Sequence, residues 1–208
     1  MAQPLELKHP MLSTLLERIA AKENPILVDV DTKEFSLPDE CFQNVGKQIS
    51  LSGGEVLHGW SLWKTSLVIE AEFHAIWKSP DGNLVDVSKA PPGVSQITFV
   101  PTADFFWNGK RVDNIRLNAT GNRLVDDFIR VFEIRYESYS SPELVSYFGL
   151  VVFPKAFLEV RQGIEHMVLQ GLSRSSPCFC QSGQIYKRCH GRNLEKKLRK
   201  LKPKRGNP

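Results

Sequence analysis

Three of the four cysteines, Cys178, Cys180 and Cys189, fall within twelve residues, and His190 follows the last of them directly. So short a segment cannot bury an apolar core of its own, so something else must hold it together. Three thiolates and an imidazole form a tetrahedral donor set that suits zinc, soft sulfur and borderline nitrogen together. Metal binding would then supply the folding energy of the segment. Because all four ligands come from protein, the expectation is one structural Zn2+ held by Cys178, Cys180, Cys189 and His190. Pro177 stiffens the entry, and Ser182-Gly183 supplies the turn that brings the chain back to the metal. Crowding of this kind argues against two disulfides, and it leaves Cys41 alone, far upstream.

The segment Ser176 to Gly191 resembles the SEC-C motif, whose pattern is Cys-x-Cys, a glycine-containing turn, then Cys-His or Cys-Cys. Pro177, Gly183 and Tyr186 fall in place, and Gln181 stands where a glycine is usual. The resemblance implies a zinc-stabilised knob that docks to proteins, to ribosomes or to the secretion machinery. A short basic helix follows from Asn193, broken at Pro203.

Charge is distributed unevenly. Lys187 to Arg205 carries 10 Lys and Arg against the single acid Glu195, while the rest of the chain has 17 basic and 22 acidic residues. A basic end of this kind attracts nucleic acid or acidic protein surfaces, or simply keeps the chain soluble. With 41% hydrophobic and 24% charged residues the composition is that of a globular protein, which excludes disordered and collagen-like chains. No stretch approaches the roughly 18 consecutive apolar residues of a membrane span, and the N-terminus has no signal-peptide pattern, so a cytoplasmic protein is expected. The expected organisation is a body over 1–172, the motif over 173–192 and a basic tail over 193–208.

The body reads as α+β: an antiparallel sheet of four to six strands with flanking helices. Apolar spacing predicts helices over 11–22, 124–136 and 156–172. A further helix is signalled at Leu37, with Pro38, Asp39 and Glu40 in its first turn ahead of Cys41. Strands are expected at Ile26 to Val30, Val56 to Lys64, Leu67 to Lys78, Leu84 to Ser88 and Ile97 to Thr102. In the Leu67 to Lys78 run, Ala71, Phe73, Ala75 and Trp77 share a core face. Glu70, Glu72, His74, Ile76 and Lys78 share the other, which is expected to be solvated.

The turn Ser79-Pro-Asp-Gly-Asn83 fixes a register. Three loop residues with a left-handed glycine set Ser79 opposite Asn83, Ile76 opposite Asp86 and His74 opposite Ser88. His74 and Asp86 then become diagonal neighbours on one face, with Cα atoms about 7–8 Å apart. The order is cysteine near a helix start, histidine on a strand, aspartate on the next. Together with Glu72-Phe-His-Ala-Ile-Trp77 and Gly82-Asn-Leu-Val-Asp86-Val, it resembles the papain and transglutaminase-like cysteine enzymes.

That resemblance implies Cys41 as nucleophile, His74 as base and Asp86 as its orienter, in an acyl or amide hydrolase or transferase. Oxyanion donors are open between the Cys41 N–H, Gln43 and Trp60. Other readings of the same chain are a non-enzymatic zinc adaptor, a nucleic-acid binder using its basic tail, and a second metal site using His58 or His74.

Overall fold

The computed structural model describes residues 2–104, 107–110, 112–139 and 151–205. The chain forms two compact units, Met1–Ala119 and Thr120–Pro208. The expected boundary at 172 therefore falls inside the second unit.

The first unit contains β1 (Gln3–Pro4), α1 (Leu12–Arg18), β2 (Ile26–Val30), α2 (Cys41–Ser52) and β3 (Glu55–Lys64). These are followed by β4 (Val68–Lys78), β5 (Leu84–Asp86), β6 (Gln96–Pro101) and β7 (Ile115–Asn118). The sheet order is β1-β3-β6-β2-β5-β4-β7, and β3 also pairs with β4. That extra pairing closes β3, β6, β2, β5 and β4 into a ring, a barrel rather than the open antiparallel sheet expected. One contact in it is parallel, β2 with β5. Closure removes the free edges that an open sheet would have to protect.

Two apolar layers follow. Inside the barrel, Val28, Trp63, Ile76, Ile97 and Phe99 form one cluster. Outside it, α1 brings Leu12 and Leu15 onto Leu62, Ile69, Ala71 and Val100. Elsewhere on the outside α2 sets Val45 against Ala75 and Val87. Alternation along β4 is therefore real, but neither face is solvated. The odd positions meet helices, and of the even positions Val68, His74 and Ile76 are buried while Glu70, Glu72 and Lys78 are partly covered. Gly59 shows how tight the interior is: a Cβ there would stand 2.3 Å from the Val100 carbonyl oxygen and 2.4 Å from the Phe99 ring.

Helix starts and stops differ from expectation for local reasons. Helix α1 ends at Arg18, two residues before Ala20 turns left-handed at φ +50°. Helix α2 begins only at Cys41, because Asp39 is itself left-handed at φ +59°. The acids thus precede the helix instead of occupying its first turn.

The second unit has α3 (Arg123–Tyr139), β8 (Val151–Val152), α4 (Lys155–Leu169), a 3-10 turn at Tyr186–Arg188, α5 (Leu194–Arg199) and β9 (Lys204–Arg205). Much of the expected basic tail is folded. Leu194 and Leu198 are buried, and β9 pairs with β8. Among the described residues no helix is long and apolar enough to cross a membrane.

Candidate functional site

Cys41 is the first residue of α2. Its approach is set by Asn44, which is 2% exposed. Asn44 Oδ1 accepts from the Leu37 N–H at 3.0 Å, and its Nδ2 donates to the Leu37 carbonyl at 2.9 Å. Helical hydrogen bonding begins with the Asn44 N–H on the Glu40 carbonyl, 2.9 Å. The N–H groups of Cys41, Phe42 and Gln43 therefore have no intrahelical acceptor and give this end a partial positive charge.

The expected hairpin register between β4 and β5 is present. Trp77 pairs with Val85 and Lys78 with Leu84. The Ser79 N–H donates to Asn83 O at 2.9 Å, and Gly82 is left-handed at φ +85°. Inside the barrel this places His74 Nε2 at 3.1 Å from Asp86 Oδ2, with both residues buried. The other Asp86 oxygen accepts the Ser88 N–H at 2.8 Å. The Cys41 side chain lies near enough to His74 to favour the charged imidazole. Since Nε2 is engaged by Asp86, Nδ1 is the ring nitrogen left for the thiol. His74 thus stands between Asp86, which it contacts directly, and Cys41.

Burial opposes a charge on His74, yet its hydrogen bond to Asp86 and the nearby Cys41 outweigh this and raise its pKa well above the ordinary value. Burial likewise pushes Asp86 upward, and the hydrogen bond and charge of His74, with the Ser88 N–H, bring it below its usual range. Each partner favours the charged form of the other.

The three residues lie on the wall of a cavity of about 860 Å³, which Glu72, Gln43, Trp63 and Trp107 also line. Trp60 is not part of that wall; it packs edge-on against Phe73 with ring centroids 5.4 Å apart. His58 stacks on the same ring at 6.1 Å, on the barrel face opposite His74. Among the described residues the one metal-type cluster is that of Cys178, Cys180, Cys189 and His190, to which neither His58 nor His74 belongs.

Two residues of this site escaped the sequence reading. Asn44 lies one helical turn from Cys41, which was a usable signal. Glu72 was assigned to a solvated face, whereas it is partly buried in the cavity wall. Burial raises its pKa, as do Glu70 and Asp39, against the opposing His74 and Trp63.

In the second unit the four expected ligands converge, their donor atoms all within 4.8 Å of one another. Cys178 Sγ is 3.2 Å from His190 Nδ1, Cys189 Sγ is 3.5 Å from the same nitrogen, and the Cys180 and Cys189 sulfurs are 3.5 Å apart. A tetrahedral zinc site has neighbouring sulfurs about 3.8 Å apart and sulfur to nitrogen about 3.6 Å. The donor set fits one structural zinc ion with little movement. The Ser182 hydroxyl brings the Cys180 thiol down to about 6, which favours the thiolate that a metal requires.

Backbone contacts draw the ligands together. Pro177 bridges to Ile185, and the Cys178 N–H donates to Gln184 O at 2.9 Å. Gly183 and Gln181 are both left-handed, at φ +76° and +59°. The second value explains why glycine suits the position of Gln181. Beneath the ligands Tyr186 is fully buried, and Phe179 lies 4.4 Å from the His190 ring. Arg174 reaches Asp127 at 3.1 Å, and Tyr186 lies near the same carboxylate.

A closed four-ligand knob of this build defines a zinc-binding module. The family model of the SEC-C motif matches residues 174–192, and so covers the knob alone. No curated protein and no solved structure matches the chain, so the likeness of the body to papain and transglutaminase-like enzymes has no support from these comparisons.

Proposed function

We propose that the first unit is a cysteine-dependent acyl or amide hydrolase or transferase, papain and transglutaminase-like in arrangement, and that the zinc knob docks it to a partner. The observation behind this reading is the buried His74–Asp86 hydrogen bond beside Cys41, all three on the wall of an 860 Å³ cavity. A buried histidine held by a buried carboxylate and beside a thiol at a helix start has what nucleophilic catalysis needs.

In the proposed reaction Cys41 Sγ attacks a carbonyl carbon while its proton resides on His74. The tetrahedral oxyanion is met by the Cys41 N–H and by Gln43, which lines the cavity. Collapse breaks the bond to the leaving amine or alcohol, which takes the proton from His74, and leaves a thioester. Water or an amine then gives a proton to His74 and attacks the thioester, restoring the thiol. Asp86 holds the imidazole ring and stabilises its charged form throughout.

The test is alkylation of the zinc-loaded protein by iodoacetamide, with each cysteine followed by mass spectrometry. Cys41 should react at neutral pH at least about tenfold faster than an ordinary thiol, and His74→Ala should remove the difference. A Cys41 that reacts only after unfolding would sink the reading. The second reading, a non-enzymatic adaptor for protein, ribosome or nucleic acid, draws on Lys187, Arg188 and Arg192, which line a cleft on the knob. It expects function to survive Cys41→Ala and to fail with Cys178→Ala.

A further inference from the structure

Among the described residues, the cavity around Cys41 is lopsided in charge. Five carboxylates line it: Asp39, Glu40, Glu70, Glu72 and Asp86. Asp86 is matched by His74, and Glu70 by Arg116 at 3.2 Å. Asp39, Glu40 and Glu72 form no salt bridge among the described residues, and Lys89 is the one lysine or arginine described on the wall. Aromatic rings supply much of the remaining surface. Phe42 and Trp107 stack with centroids 4.4 Å apart and planes 7° from parallel, and Trp63 and Phe73 line the same space.

Two further donors are available there. Trp63 Nε1 and Ser88 Oγ are buried without a well-formed hydrogen bond, each near a carboxylate it supports, Glu72 and Asp86 respectively. Both residues are at least nine-tenths buried and line the cavity. Donors held in such a place are costly unless something accepts from them.

Carboxylates and aromatic faces attract the same ligand chemistry, an ammonium or guanidinium group. The Cys41 N–H and Gln43 beside them suit a carbonyl oxygen. We infer that the cavity selects a cationic acyl substrate, an amide whose scissile carbonyl lies next to a lysine- or arginine-like side chain. This rests on the hydrolase or transferase reading of the same cavity and adds the class of substrate to it. An anionic or purely aliphatic acyl group would face Asp39, Glu40 and Glu72 without supplying a positive charge of its own.

The test separates charge selection from catalysis. The zinc-loaded chain is treated with cationic 2-aminoethyl methanethiosulfonate or anionic 2-sulfonatoethyl methanethiosulfonate, and modification of Cys41 is followed by mass spectrometry. The cation-to-anion rate ratio should exceed that of a free cysteine peptide by at least about tenfold, and Glu72→Gln with Asp39→Asn should lower it toward that of the peptide. A ratio equal to that of the free peptide, or a Cys41 closed to both reagents, overturns the inference.

A second arm compares coumarin amides of acetyl-lysine, acetyl-norleucine and acetyl-glutamate, where kcat/KM should favour lysine over norleucine by about tenfold. Equal turnover of lysine and norleucine also overturns it. An elevated reagent ratio with no amide turned over keeps the charge selection and removes the hydrolytic reading instead.

Discussion

His74 and Asp86 pull each other's titration in opposite directions, and that gives the pair a pH window. The folded pKa of His74 lies above its reference value of 6.5, so its contribution to stability is full below 6.5 and is lost as pH rises through the higher folded value. The folded pKa of Asp86 lies below 3.8, so its contribution is present above 3.8 and is lost as pH falls through the lower value. Wild type should therefore exceed Asp86→Asn most between those limits, by about 3 kcal/mol, with the gap closing in acid and in alkali. Urea midpoints across pH read this directly, and a gap that does not vary with pH would refute it. At the knob, Gln181 is strained by its left-handed backbone. Gln181→Gly should hold zinc at least as well, while Gln181→Val should weaken it by about 1 kcal/mol in a competition titration with a chelating dye. At this scale the sequence was informative where chemistry is local. The Pro-Asp-Gly turn settled the register of His74 and Asp86, and ligand spacing settled the metal set. Glu72 was misplaced because alternation reveals two faces without saying what covers each.

Elements were legible in proportion to their length and periodicity. Strands β2 to β4 and β6, and helices α3 and α4, carry runs of apolar residues at the right spacing, and all emerge within a few residues of expectation. Strands β1 and β7 were missed, being two and four residues long and set beside polar segments. Closure of the barrel was invisible for a deeper reason. It depends on β3 pairing with β6 as well as with its hairpin neighbour β4, and on β5 lying parallel to β2; the β3–β6 and β2–β5 contacts are distant along the chain. Gly59 is the cheapest test of that closure, since it sits in β3 opposite His74 with its space filled by Phe99 and the Val100 carbonyl. Gly59→Ala should cost about 2–3 kcal/mol in urea unfolding, as overpacking against backbone cannot be relieved by a rotamer change. Asn44→Ala should cost a similar amount, about 2 kcal/mol, by leaving the Leu37 N–H and carbonyl unpaired. The same variant should slow alkylation of Cys41, because the segment leading into α2 loses its anchor.

At the scale of the molecule, chemistry is divided between the two units, and the reporters are divided the same way. Trp60, Trp63, Trp77 and Trp107 all belong to the first unit, whereas the zinc ligands and Tyr186 belong to the second. Burial and the neighbouring Asp127 hold the Tyr186 phenol well above its ordinary value of 10.0. The knob has too few apolar residues to keep that ring covered once the metal is gone, since zinc binding supplies on the order of 10 kcal/mol in modules of this size. Chelation should therefore bring one additional tyrosine into titration near pH 10 by ultraviolet absorbance, with loss of one zinc ion per chain. Tryptophan emission and the alkylation rate of Cys41 should stay as they were, because the barrel has its own core clusters and draws nothing from the metal. An unchanged tyrosine titration after complete zinc loss would mean that packing of Tyr186 and Phe179 alone holds the knob. A loss of Cys41 reactivity on chelation would instead make zinc a condition for the first unit's chemistry, and the division of labour between an anchoring knob and a reactive barrel would fall.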